Sequence, residues 1–253
     1  MLKSVVILCG GKGTRLGALG KKLPKSLVRV DGKPIIWYIL KTLKKNKFNH
    51  FILPVGYKGS MIKSYIRNNN EFKDYKIQLI NTGINSSIAE RIHRIKKNIL
   101  SQNFLLLNGD AIFSFNINKI FTNHIKLKNV MTFIGCENEL PYGTIGMINN
   151  KIVSFDRNII FNSVNTKNKK NFRAFIYSGM SILNIKVLSE NFKKMQNFEK
   201  SLYPLIIKKF ECNFVNPKGF WHSIDNIKDV DALDKKLDKI KFKNFIKIKR
   251  KMR

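Results

Sequence analysis

The chain has 253 residues, 43% of them hydrophobic, with 48 Lys and Arg against 16 Asp and Glu for a formal net charge of +32. That length can bury the core of one α/β domain with room for a small appendage, and three scattered cysteines with no CxxC pair argue against a disulfide framework or a zinc site. The basic excess is mostly lysine, mixed with asparagine and isoleucine along the whole chain and unaccompanied by any nucleic-acid motif, so it reads as compositional drift whose field still attracts anionic substrates.

In chain order, an apolar strand over residues 5–9 runs into GGKGTRL, residues 10–16. Glycines there let backbone N–H groups approach a ligand, and Arg15 adds a planar fork of donors suited to phosphate. LPKSL, residues 23–27, adds Lys25 behind a proline that holds the chain extended. A helix follows Pro34, with Ile35, Ile36, Ile39, Leu40 and Leu43 at helical spacing. Strands are predicted over 51–55, 76–80 and 104–107, and helices over 61–66 and 89–99. Such alternation argues for a largely parallel sheet.

The second half differs. Strands over 130–136, 144–148 and 152–155 lie close together, with Asn149 and Asn150 as a hairpin turn. A polar loop over 162–171, a strand over 175–183 and helices over 187–192 and 202–210 complete the pattern. The expected organisation is one domain over 1–240, with a nucleotide-binding half (1–128) and an acceptor-binding half (129–240), then a basic tail over 241–253. The N-terminal apolar run, broken at Gly10, is too short for a secretory signal and no segment approaches a membrane span, so a cytoplasmic protein without membrane insertion is expected.

The glycine loop is neither a Walker A loop, which needs G-x-x-x-x-G-K-[ST], nor a full Rossmann fingerprint, since Leu16 stands where the third glycine belongs. Two carboxylates stand out. Asp110 ends LLLNGD at the carboxyl end of a buried strand, where open α/β sheets bind ligands, and Asp225 ends GFWHSID. Each has a plainer reading as a helix cap: Asp110 for a helix over 115–127, although Asn116 lies closer, and Asp225 for one beginning near Ile227. Two carboxylates with phosphate oxygens make an ordinary Mg²⁺ environment. The histidines offer no catalytic pattern: His50 and His124 read as surface or boundary residues, and His222 as packing at least as readily as facing a site.

LCGGKGTRL, LPKSL and DGKP together resemble the N-terminal signature of the sugar-phosphate nucleotidyltransferases. The resemblance implies a Rossmann-like nucleotidyltransferase fold, its largely parallel sheet flanked by helices, with a smaller antiparallel acceptor-side portion. It also implies that Leu8, Gly10, Gly11, Gly13, Thr14, Asn108 and Gly109 bind the nucleotide, that Arg15 and Lys25 are catalytic, and that Asp110 and Asp225 hold Mg²⁺, with Mn²⁺ as the alternative. INTGINSS followed by ERIHRIKK, together with GFW before the second aspartate, is similar to the cytidylyltransferase branch, implying CTP and making Thr82, Gly83, Ser87 and Arg91 the candidates for reading the base.

The acceptor side departs from that pattern. Where the family has a lysine after the YG strand, Arg157 follows YGTIGMINNKIVSF, and FIYSG replaces an INGG-like strand. Gly143, Arg157, Tyr177, Ser178 and Gly179 are the acceptor candidates. These departures are similar to those of a divergent cytidylyltransferase whose acceptor is L-glutamine phosphate, giving CDP-L-glutamine for capsular polysaccharide modification. A sugar-1-phosphate cytidylyltransferase is the nearest alternative, and a basic nucleic-acid-binding protein a more distant one. The expected partners are CTP and a small phosphorylated acceptor, with no nucleic acid, and a homo-oligomer is left open.

Overall fold

Runs of β-branched and aromatic residues alternate with amphipathic helices through the first half of the chain, and their pairing builds one twisted sheet. The computed structural model describes residues 2–136, 138–139, 144–148, 151–156, 160–161, 164–165, 173–188 and 198–239. Strand β1 (Ser4–Leu8) leads through a glycine loop to α1 (Gly17–Lys22), then the short pair β2 (Arg29–Val30) and β3 (Lys33–Pro34) and helix α2 (Ile35–Lys45). β4 (His50–Val55), α3 (Gly59–Asn68), β5 (Lys76–Asn81), α4 (Ile88–Ile95) and β6 (Asn103–Asn108) continue the alternation. β7 (Ala111–Phe113) and α5 (Ile117–Lys126) precede β8 (Met131–Cys136).

Beyond β8 lie β9 (Asn138–Glu139), β10 (Thr144–Ile148), β11 (Lys151–Asp156), β12 (Ile160–Phe161), β13 (Val164–Asn165) and β14 (Arg173–Ala174). β15 (Ile176–Asn184) follows, then a π-helical turn (Phe198–Leu202), α6 (Tyr203–Lys209), β16 (Cys212–Val215), β17 (Trp221–Ser223) and α7 (Ile227–Lys239). β10 and β11 pair antiparallel, as their spacing predicts; the turn at Asn149 and Asn150 lies outside the described residues.

The central sheet has the order β16-β8-β15-β6-β1-β4-β5. It is parallel except for β15, which runs against both β6 and β8. Both faces are covered, so alternate residues of one strand enter different cores. Val5 and Ile7 of β1 pack with Ile35, Ile36 and Ile39 of α2, whereas Val6 packs with Ala89, Ile92 and Ile95 of α4. Among the described residues no helix is long and apolar enough to cross a membrane.

Two histidines depart from expectation. His50 and His124 are buried, not boundary residues, because each finds polar partners inside. Ser4 Oγ lies 2.9 Å from His50 Nδ1. His124 is 2.8 Å from Thr132 Oγ1 and 3.2 Å from Asn103 Oδ1, and burial lowers its pKa to about 4, so it stays neutral. Residues 187–192 also differ: the chain makes a 3₁₀ turn at Ile185–Val187, and 189–192 lie outside the described residues, as do the predicted tail over 241–253 and most of the polar loop.

Candidate active site

β1 delivers the glycine loop to the carboxyl-terminal edge of the sheet. Gly13 takes φ +61° and its carbonyl accepts from Leu16 N at 3.0 Å, starting the 3₁₀ turn that carries Thr14 and Arg15 into solvent. A Cβ on Gly11 would meet open space, whereas one on Gly10 would collide with the Arg91 guanidinium. That guanidinium is what holds the loop in place. Arg91 donates to the carbonyls of Gly10 (3.0 Å), Ile84 (3.2 Å) and Val55 (3.5 Å) and to Thr82 Oγ1 (2.8 Å). It comes from α4, whose first turn is fixed by a capping box: Ser87 Oγ accepts from Glu90 N, and Glu90 Oε2 accepts from Ser87 N.

The carboxylates meet through a strand pair remote in sequence. β7 follows Asp110 and pairs antiparallel with β17, setting Ala111 opposite Ser223, and Ile224 N donates to Asp110 O at 3.0 Å. Asp225 is thereby set beside Asp110. Lys25, in a 3₁₀ turn after extended Pro24, lies between them, its Nζ 2.8 Å from Asp110 Oδ2 and 2.9 Å from Asp225 Oδ1. Arg15, 78% exposed, reaches Asp225 Oδ1 at 3.4 Å. Burial alone would lower the pKa of Lys25, but Asp110 and then Asp225 outweigh it and raise it. Burial would raise Asp225, but the hydrogen bond and charge of Lys25, then Arg15, pull it below the usual carboxylate range.

Neither aspartate is a helix cap. Asn116 caps α5, accepting from Lys119 N at 3.0 Å. At α7, Asn226 Oδ1 accepts from Asp229 N and Asp229 Oδ2 accepts from Asn226 N, which leaves the Asp225 carboxylate to Lys25 and Arg15.

Above this centre opens a cleft of about 580 Å³, walled by Leu8, Gly10 to Lys12, Ile84 to Ile88, Arg91 and Asn108 to Asp110. A chamber of about 90 Å³ continues from it past Gly13, Lys25, Ser26 and Cys9. Burial pushes the Cys9 thiol up to about 12, so it is a packing group and not a nucleophile. The glycine loop and Asp110 thus line the cleft, Lys25 lines the chamber beside it, and Asp225 and Arg15 adjoin them through their ion pairs.

Residues 4–222 match the nucleotidyl transferase family. The chain belongs to it. Over 250 residues it is 29% identical to the probable glucose-1-phosphate cytidylyltransferase of Bacillus subtilis (strain 168), covering 91% of this chain and 94% of that one. The D-glycero-alpha-D-manno-heptose 1-phosphate guanylyltransferase of Campylobacter jejuni subsp. jejuni is 30% identical over 212 residues, 76% of this chain and 87% of that one. Among solved structures, HddC from Yersinia pseudotuberculosis complexed with GMP-PN matches with a TM-score of 0.69 at 23% identity over 93% of this chain and all of that one, a likeness of fold.

Within this nucleotidyl transferase several candidates sit otherwise than their sequence suggests. Thr82 is fully buried, donating to Val55 O at 2.9 Å, so it braces Arg91 instead of facing a base. The Arg91 donors are directed at the protein, which makes it a positioning residue. Half-buried Ser87 lines the cleft, whereas Gly83 (φ +88°) packs against Ser86 and Arg94 and is not among its walls. Of the acceptor candidates, Ser178 is buried and donates to Ile134 O at 2.7 Å, and Tyr177 is turned inward, its hydroxyl 3.0 Å from that of Tyr203. Gly179 (φ +73°) lies against Asn108 at an irregularity in β15, so close that a Cβ would strike the Asn108 amide. Gly143 and Arg157 lie outside the described residues. The β7–β17 pair, which sets Asp225 beside Asp110, carries no local signal in the sequence.

Proposed function

We propose that this enzyme transfers CMP from CTP to a phosphorylated small acceptor and releases pyrophosphate. An acceptor phosphate oxygen attacks the α-phosphorus in line, one P–O bond forms, and the bond to the β-phosphate bridging oxygen breaks. That nucleophile is ionised at neutral pH, so no general base is needed. Gly10, Gly11, Gly13 and Thr14 wrap the triphosphate with backbone donors, while Arg15 and Lys25 offset charge that grows on the phosphates. The observation that carries this reading is Lys25 gripped between Asp110 and Asp225 at the foot of the glycine-loop cleft.

Two carboxylates already converging on one cation suit Mg²⁺ or Mn²⁺, which accept one or two carboxylates plus substrate phosphates, and Asp110 and Asp225 are the residues that would hold it. Such an ion supplies Lewis-acid stabilisation of phosphoryl oxygens. CTP is favoured by the TG turn before Ser87 and by the cytidylyltransferase relatives. Residues 1–128 form the nucleotide-binding half and 129–240 the acceptor-binding half in this reading.

For the acceptor, L-glutamine phosphate is favoured by the departures at Arg157 and FIYSG, giving CDP-L-glutamine for capsular polysaccharide modification in the cytoplasm. A sugar 1-phosphate is the second reading, favoured by the names of the relatives. Pyrophosphate release with Mg²⁺, each of CTP, UTP, dTTP, ATP and GTP, and a panel of L-glutamine phosphate and sugar 1-phosphates separates them. Selective release with CTP and L-glutamine phosphate is the expected result. Release with CTP and a sugar phosphate alone discards the acceptor and keeps the chemistry.

A further inference from the structure

A second concavity, of about 340 Å³, shares no wall with the cleft. It is formed by α3, the 3₁₀ turn at Asn70–Phe72 and β5, the strand at one end of the central sheet. Its floor is apolar. Ile66 and Phe72 are buried, whereas Tyr75, Ile77 and Leu79 are only half-buried along it. Phe72 meets Tyr75 edge to face at 5.3 Å, and Tyr75 stacks on Phe51 at 5.6 Å, so the aromatic part is held firmly. Asn69 fixes the turn, its Oδ1 accepting from Glu71 N at 3.0 Å and its Nδ2 donating to the Tyr65 hydroxyl at 3.1 Å.

The charge around this floor has one sign. Lys63 and Arg67 stand one turn apart on α3 and share a face of it, and Lys73 comes from beyond the 3₁₀ turn. Among the described residues none of the three has an ion pair, and no carboxylate lines the concavity. Glu71, in the same turn, is taken up elsewhere: it accepts from Trp37 Nε1 at 3.1 Å and pairs with Lys33 and Lys41. Surface lysine alone means little at a net charge of +32. On α6, Lys208 and Lys209 lie beside exposed Leu205 and Ile207 yet line neither this concavity nor the cleft. Here cations and apolar surface are joined in one cavity of small-ligand size. Its half-buried rings and aliphatic chains keep a hydration cost, and its neighbouring cations repel one another. A ligand that carries both a ring and an acid relieves both. We propose that this concavity binds a small aromatic anion, with its ring on the Phe72 and Tyr75 floor and its acid group among Lys63, Arg67 and Lys73.

The probe is 8-anilinonaphthalene-1-sulfonate, itself an aromatic anion, titrated into the full chain and followed by methyl NMR. Saturable shifts are expected at the methyls of Ile66, Ile77 and Leu79, without matching shifts at Leu8, Ile84 and Ile88 of the cleft. Lys63 and Arg67 are exposed, so reversing both (Lys63→Glu with Arg67→Glu) spares the core and should raise the Kd read at those methyls about tenfold or more. Lys73→Glu, on a different element, should weaken binding in the same direction. The same charge change on α6 (Lys208→Glu with Lys209→Glu) should alter the Kd by no more than about twofold, which separates the local site from the overall field. N-phenyl-1-naphthylamine, which has the rings without the sulfonate, should bind at least about tenfold more weakly. No saturable shift at Ile66, Ile77 and Leu79 overturns the assignment. So does equal weakening by the α3 and α6 reversals, or equal binding of the uncharged probe, either of which would mean that the cations only cover the floor with their stems.

Discussion

The glycine-loop end of β1 and the start of β15 are braced by opposite means. At the glycine loop, Gly10 to Gly13 offer little beyond backbone, Leu16 packs into the core behind them, and the buried Arg91 guanidinium ties Gly10, Val55, Thr82 and Ile84 together. At the start of β15 bulk does the bracing: Phe133 and Tyr203 meet edge to face at 5.2 Å, and hydroxyls of Tyr177, Ser181 and Tyr203 interlock. A loop that must admit phosphates cannot be filled with side chains, so its rigidity is supplied from behind. Lys25, Asp110 and Asp225, by contrast, hold one another by charge.

The contrast can be broken at the centre first. Lys25→Ala should lower transfer by roughly two orders of magnitude, the usual effect of removing one preorganised charge-stabilising group, which is worth about 2.7–4 kcal/mol of barrier. Steady-state pyrophosphate release measures it, and a change within a few-fold would remove Lys25 from the chemistry. Next comes the brace. Arg91→Ala leaves buried carbonyls without donors and should cost about 2–3 kcal/mol of stability, read as a shift in the denaturant midpoint. Unchanged stability would mean the loop holds its shape unaided.

Two adjacent glycines sharpen the same point. Gly10→Ala drives a methyl into the Arg91 guanidinium and should destabilise by about 1–3 kcal/mol, whereas Gly11→Ala points its methyl at open space and should leave the fold unaffected while weakening nucleotide binding. Equal thermal shifts for the two would refute this description of the loop. The smallest effect is acid sensitivity. The pKa of Asp225 is depressed in the folded state, so its contribution is complete above the unfolded carboxylate pKa and is lost as pH falls through the lower folded value. Asp225→Asn should therefore flatten the stability–pH curve in that acidic window, with no change of slope near neutrality.

Local features were readable and remote ones were not. The glycine loop, Lys25 behind Pro24 and Asp110 at a strand end are encoded within a few residues, and strand–helix alternation predicts the mostly parallel sheet. The approach of Asp225 to Asp110 depends on β17 pairing with β7 across more than a hundred residues, and three-residue strands have no periodicity to announce them. Thr82, Arg91, Tyr177 and Ser178 are polar residues in loops or strands near the cleft, and composition cannot tell which way each points. Burial decides it: each finds its partners inside the protein. His50 and His124 are buried for the same reason, since Ser4, Thr132 and Asn103 meet them from distant strands.

In the reading proposed above, the carboxylates gathered around Lys25 are the centre of nucleotidyl transfer. It is tested most directly by pyrophosphate release from CTP in Asp110→Ala at saturating Mg²⁺ and acceptor, with folding checked by thermal denaturation. A folded protein whose turnover falls by about two orders of magnitude or more is expected. A folded Asp110→Ala with near wild-type turnover would contradict it.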